Sequence, residues 1–201
     1  AGLAGYVDAI GFLSAHGYFV SFMSGNTTRL AVDLVTDPAT AIVPGLLILG
    51  FVTGVTAGAI IGMAADRHRK PVILGIVALL LLGAAAASAV QRNNPAMALV
   101  VLAMGVLNNV FQRDGEVSVG VTYMTGALVR FGQGVANRLT GRGRGGWLSY
   151  LLLWLGLATG GVTGAATFSA IAGTALWPAA AVTALLALYA LHLVRRESAG
   201  V

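Results

Sequence analysis

The chain contains no cysteine, which removes disulfides, thiolate chemistry and cysteine-ligated metals. It is also short of charge: Asp, Glu, Lys and Arg make up 9% of its 201 residues, where soluble domains carry roughly a quarter. No Ser/His/Asp set and no His cluster at metal-ligand spacing is present. The glycine-rich run 141–146 lacks the Gly-Lys-[Ser/Thr] ending of a phosphate-binding loop. The sequence therefore argues against an enzyme and calls for no cofactor and no metal. What it has instead is apolar surface, with 57% hydrophobic residues, a mean hydropathy of +0.85 and 28 glycines. Lipid, not water, must cover most of such an exterior. Glycine is common in membrane helices because it lets backbones approach.

Four stretches run uncharged for a membrane's depth: 44–65, 71–90, 147–168 and 176–194. About 20 residues at 1.5 Å rise cross a hydrocarbon core about 30 Å thick. Two further segments are apolar but interrupted. Segment 1–35 carries Asp8, His16, Arg29 and Asp33; segment 96–136 carries Asn108, Asn109, Arg113, Asp114, Glu116 and Arg130. Each is too long for one straight helix and too polar for a plain anchor. The expected form is a helix, a non-helical break near 14–22 or 112–123, and a second, shorter helix. The first helix also reads as clipped, because the chain starts inside an apolar stretch without an initiator methionine, so residues upstream are expected.

The net charge of +5 does not point to nucleic acid, because the basic residues sit in short loops. Arg67, Arg69, Lys70, Arg138, Arg142, Arg144, Arg195 and Arg196 fall in alternate loops and the tail, while the intervening loops hold only Arg92. Six crossings put every basic loop on one side, which the positive-inside rule makes cytoplasmic. The expectation is a multi-pass protein of the bacterial inner membrane with both termini inside. Its loop 141–146 would touch anionic headgroups, so membrane lipids are its first partners.

The chain also repeats itself. Ser21-Phe22-Met23-Ser24-Gly25 matches Thr122-Tyr123-Met124-Thr125-Gly126, and Arg29-Leu30 matches Arg130-Phe131, all 101 residues apart. Gly54, Gly58 and Gly62 match Gly156, Gly160 and Gly164 at a spacing of 102, and the last helix of each half opens near Pro71 or Pro178. Repeat one covers 1–90 and repeat two 96–195 of a single all-α membrane domain, 1–201. Three helices per repeat is an odd number, so the second copy inserts upside-down, an architecture shared by many secondary transporters.

The duplicated motif is the sharpest site candidate. Ser24 and Thr125, each followed by glycine (Gly25, Gly126), read as N-caps of short helices that begin inside the membrane. Such ends leave amide N–H groups unpaired and carry about half a positive charge. Arg29 and Arg130 lie about a turn further on. Together with Asn26, Thr27 and Tyr123 they form a candidate site for a small anion or carboxylate. The structural alternative has Asn26, Thr27 and Thr28 meeting buried backbone while the arginines snorkel to the interface. Asp8, with repeat-mate Asn109, is the proton-coupling candidate, since an intramembrane acid is a functional hypothesis by default; the alternative is an ion pair with Arg29, Arg113 or Arg130. Lone His16 reads as a satisfied polar residue. Arg113, Asp114 and Glu116 read as a solvated cluster if the second break starts at the cytoplasmic surface. The glycine ladders read as packing, within the chain or across a homodimer.

The runs AGYVDAIGF at 4–12 and GYFVSFMSGNTT at 17–28 resemble the YoaK-like family of bacterial membrane proteins. NVF at 109–111 and VSVGVTYMTG at 117–126 are similar to that family's second signature. The resemblance implies a multi-pass membrane domain of unknown function and supplies no substrate, mechanism or site residue.

The functional expectation is a small secondary transporter or exporter of a small solute, anions and proton coupling included. A non-transporting module that binds a lipid or partner protein, or an oligomeric channel, is the alternative. A polar cavity between the motif copies favours transport; breaks plugged by their own side chains favour the module.

Overall fold

A computed structural model describes residues 1–113, 116–117, 122–142 and 146–199, without the side chains of 112–113, 116–117 and 198–199. The chain forms α1 (Gly2–Ser14), α2 (Met23–Thr36), α3 (Ile42–Ala65), α4 (Arg69–Ala89), α5 (Asn93–Leu107), α6 (Met124–Leu139), α7 (Trp147–Ile171) and α8 (Trp177–Ala199). Tight 3-10 turns at Asp66–His68 and Ala172–Thr174 separate α3 from α4 and α7 from α8. Pro71 and Pro178 fall in the first turns of α4 and α8, where a missing N–H costs no helical hydrogen bond.

Three helical stretches are long and apolar enough to cross a membrane: 42–89, 147–174 and 177–197. The first runs 48 residues, about twice one crossing, and the turn at Asp66–His68 folds it into α3 and α4. At 13 and 15 residues, α1 and α5 are too short to cross alone. Leu49, Ile60, Leu79, Val162, Leu185 and Leu188 are exposed, an apolar surface that suits lipid contact.

Both expected breaks are present. The first runs from Ala15 to Phe22 and turns on His16 and Gly17 at φ 51° and 92°, the left-handed region that glycine enters without steric cost. His16 is an exposed residue of this turn. The chain then doubles back, and Val20 packs on Gly11, where a Cβ would come within 2.5 Å of Val20 Cγ1. The second break opens earlier than expected, because α5 ends at Leu107 and Asn108 to Val110 already turn. It also contains a short antiparallel pair the sequence reading did not foresee, β1 (Gln112–Arg113) against β2 (Glu116–Val117), with Arg113 opposite Glu116. The Asp-Gly dipeptide between them in the sequence is a strong hairpin signal. Asp114, the side chains of Arg113 and Glu116, and 143–145 of the basic loop lie outside the described residues.

The closest crossings join the halves of the chain. α7 runs beside α1 in the same direction: a Cβ on Gly160 would meet Gly2 O, and one on Gly164 would meet Tyr6 O. α3 runs beside α5 likewise, with Gly50 against Val101 and Gly58 against Val106 Cα. The glycine ladders therefore pack within the chain, as small residues do where membrane helices approach closely. Between these pairs α4 lies against α8 and α5, burying Ile73, Val77, Leu81 and Ala84 completely. The Tyr6 hydroxyl donates to Ala175 O at 2.8 Å, tying α1 to the start of α8.

Candidate functional site

The first break is held from both sides by polar side chains. Asp8 Oδ1, on α1, accepts from the amides of Val20 at 3.0 Å and Ser21 at 2.8 Å. Asn26, on α2 and fully buried, grips Phe19 twice: its Oδ1 accepts from Phe19 N–H at 3.0 Å and its Nδ2 donates to Phe19 O at 2.7 Å. Backbone polar groups away from water need partners, and here a carboxylate and an amide supply what a helix would have supplied. Asp8 pairs with backbone; no ion pair to Arg29 or Arg130 forms among the described residues.

The second break is tied differently. Thr122 Oγ1 donates to Asn108 Oδ1 at 3.1 Å, while Asn108 Nδ2 donates to Met104 O at 3.0 Å. Asn109, the repeat-mate of Asp8, is fully buried and donates to Val55 O on α3 at 3.1 Å. Ala127 stands where the first half has Asn26.

Between the two breaks lies a cavity of about 530 Å³. Ser21 to Ser24 line one wall and Thr122 to Gly126 the other, with Asp8, Phe19, Phe51 and Leu157 completing it. The four motif positions Ser21/Thr122, Phe22/Tyr123, Met23/Met124 and Ser24/Thr125 thus line one cavity from both copies. Of the sequence-chosen residues, Asp8, Ser24, Tyr123, Thr125 and Gly126 reach the cavity. Gly25, Asn26 and Thr27 do not line it, and Thr27 Oγ1 returns to Met23 O within its own helix at 2.8 Å.

The arginines point elsewhere. The Arg29 guanidinium sits 4.9 Å from the Tyr18 ring centroid, and Tyr18 donates in turn to Asp33 Oδ2 at 3.2 Å. Arg130 Nη1 donates to the Tyr150 hydroxyl at 3.0 Å, with the guanidinium 5.4 Å from that ring's centroid. Each half therefore parks its arginine on a tyrosine, and both arginines are exposed.

The capping assignment is corrected. α2 starts at Met23 and α6 at Met124, after Phe22 and Tyr123, with no side-chain cap. Ser24 and Thr125 lie in the first turns instead of preceding them. A tight turn does the capping: Met23 N donates to Ser21 O at 3.2 Å and Met124 N to Thr122 O at 3.0 Å. Phe51 and Leu157 were not foreseen as wall residues, since nothing distinguishes them from neighbours on plain apolar helices. No group of three or more His, Asp or Glu able to hold a metal occurs among the described residues.

Comparison with known proteins fits this membrane architecture. The chain is 38% identical over 197 residues to the UPF0700 transmembrane protein RA0705 of Rhizobium meliloti (strain 1021), covering 96% of this chain and 84% of that relative. No solved structure matches it. Residues 1–189 match the family model described as protein of unknown function (DUF1275), and the chain belongs to that family.

Proposed function

We propose that this membrane protein carries a small solute across the bilayer, with the cavity between the two motif copies as its binding site. The observation that carries the reading is that both breaks, 101 residues apart in sequence, line one cavity of drug-like size, about 530 Å³. Packing supports an inverted pair of repeats. α1 runs along α7 as α5 runs along α3, and α2 packs on α3 as α6 packs on α7. In this reading α1 with α2, and α5 with α6, each make one broken crossing, giving six in all. Basic loops and both termini then face the cytoplasm. Asp8 at the cavity wall is the group to exchange a proton with the cargo.

Solute flux into proteoliposomes tests the reading, with Gly126→Leu as the control. A Cβ at Gly126 meets nothing within 4 Å, so leucine there fills the cavity while the fold is kept. Flux that vanishes in Gly126→Leu supports transport through the cavity; unchanged flux sinks it. Single cysteines at Thr40 and Arg142, in a chain otherwise free of cysteine, should label from opposite faces of the membrane; labelling from one face refutes six crossings.

A further inference from the structure

We infer that the cavity selects an organic cation with an apolar or aromatic body, and excludes anions. The inference rests on reading the cavity as a solute site. Among the described residues its wall carries one charged side chain, Asp8, and no Lys, Arg or His. Phe19, Phe22, Phe51 and Tyr123 bring four aromatic rings to the same space, and Met23 and Met124 bring two thioethers. Ring faces attract cations, and methionine adapts to irregular apolar shapes. The hydroxyls of Ser24, Tyr123 and Thr125 can orient a polar group without adding charge.

Much of what would attract an anion is spent inside the chain. Both arginines stack on tyrosines that do not line the cavity. The amides of Val20 and Ser21, where the break approaches α2, are taken by the Asp8 carboxylate. At the start of α2 the amides of Met23, Gly25 and Asn26 donate to Ser21 O and Phe22 O. At the start of α6 those of Met124 and Ala127 donate to Thr122 O and Tyr123 O, which leaves those of Ser24, Thr125 and Gly126 without a backbone acceptor among the described residues. The anion placed just before the positive start of α2 is thus the protein's own Asp8. A second anion would have to lie beside it in a space of low dielectric, where like charges repel strongly.

Three water-soluble ring compounds differing in charge test this by titration calorimetry on the detergent-solubilised chain: benzyltrimethylammonium, benzyl alcohol and benzoate. Benzyltrimethylammonium should bind tightest and benzoate not measurably. Asp8→Asn keeps an oxygen for the two amides and removes the charge, so cation affinity should fall about tenfold or more with benzyl alcohol little changed. Tyr123→Leu should weaken the cation alone by about 2- to 30-fold. Arg29→Gln and Arg130→Gln should leave all three as they are. Benzoate binding that depends on either arginine, binding of none of the three, or cation binding indifferent to Asp8→Asn in a folded protein would overturn the inference. If Asp8→Asn does not fold, Tyr123→Leu decides alone, and undiminished cation binding overturns it. Parallel flux separates the two readings: cation binding without flux removes transport and keeps the ligand class, whereas flux of benzoate alone removes the ligand class and keeps transport.

Discussion

The two halves share one motif beside a helix break, with different fastenings. In the first, Asp8 and Asn26 hold Val20, Ser21 and Phe19 from opposite sides. Phe12, Phe19 and Phe22 stack at centroid separations of 4.9 and 5.1 Å over the same stretch. In the second, Asn109 and Ala127 occupy the equivalent positions, and Gly126 opens onto empty space where Gly25 is crowded by Phe19 and Phe22. Each half has a helix break before the shared motif and turns that motif to the cavity. The side chains that secure the break differ, so one wall of the cavity is clamped and the other has room.

The sharpest way to break this comparison is to remove the clamp. Asp8→Ala leaves two amides without an acceptor and removes charge-assisted bonds, so it should lower stability by about 3 kcal/mol in a detergent unfolding titration. Asn26→Ala should cost less, about 1–3 kcal/mol, because neutral hydrogen bonds in membrane proteins contribute modestly. If neither variant melts below the wild type, the first half is not clamped.

Next comes the glycine pair. Gly25→Ala would set a Cβ 2.5 Å from Phe22 Cδ1 and should destabilise by about 1–3 kcal/mol through overpacking. Gly126→Ala meets nothing and should be neutral or stabilising by up to about 1 kcal/mol through helix propensity. Equal effects would erase the asymmetry. The smallest expected effect is from Arg29→Gln and Arg130→Gln. Each loses an exposed stacking contact of about 0.5–1 kcal/mol, and melting temperatures should hardly move in either half.

The long apolar helices were legible because lipid imposes a length and a composition on candidate spans; α3, α4, α7 and α8 fall where uncharged runs lie. The breaks were legible for the same reason in reverse, since Asp8, Asn26 and Asn109 are costly in lipid unless they bind backbone. Their partners were not legible. Asp8 could as well have paired with arginine, and only the doubling back of 15–22 brings Val20 and Ser21 to it. Arg29 and Arg130 misdirected the expectation of the site, because a long side chain's direction is set by which tyrosine lies in reach. That Phe51 and Leu157 reach the cavity follows from helix rotation, which a uniformly apolar helix does not encode.

α7 illustrates the last point most fully. Of its 25 residues, the two buried ones are Gly160 and Gly164, so the helix is recognised by its partner through what it omits. Much of its structural information resides in two notches, and most of the positions besides Tyr150 and Leu157 need only be comfortable in oil. Such a helix can exchange leucine for valine or isoleucine over most of its surface without altering the assembly. Relatedness among proteins of this kind should therefore be read from the spacing of their glycines before the identity of their aliphatic residues.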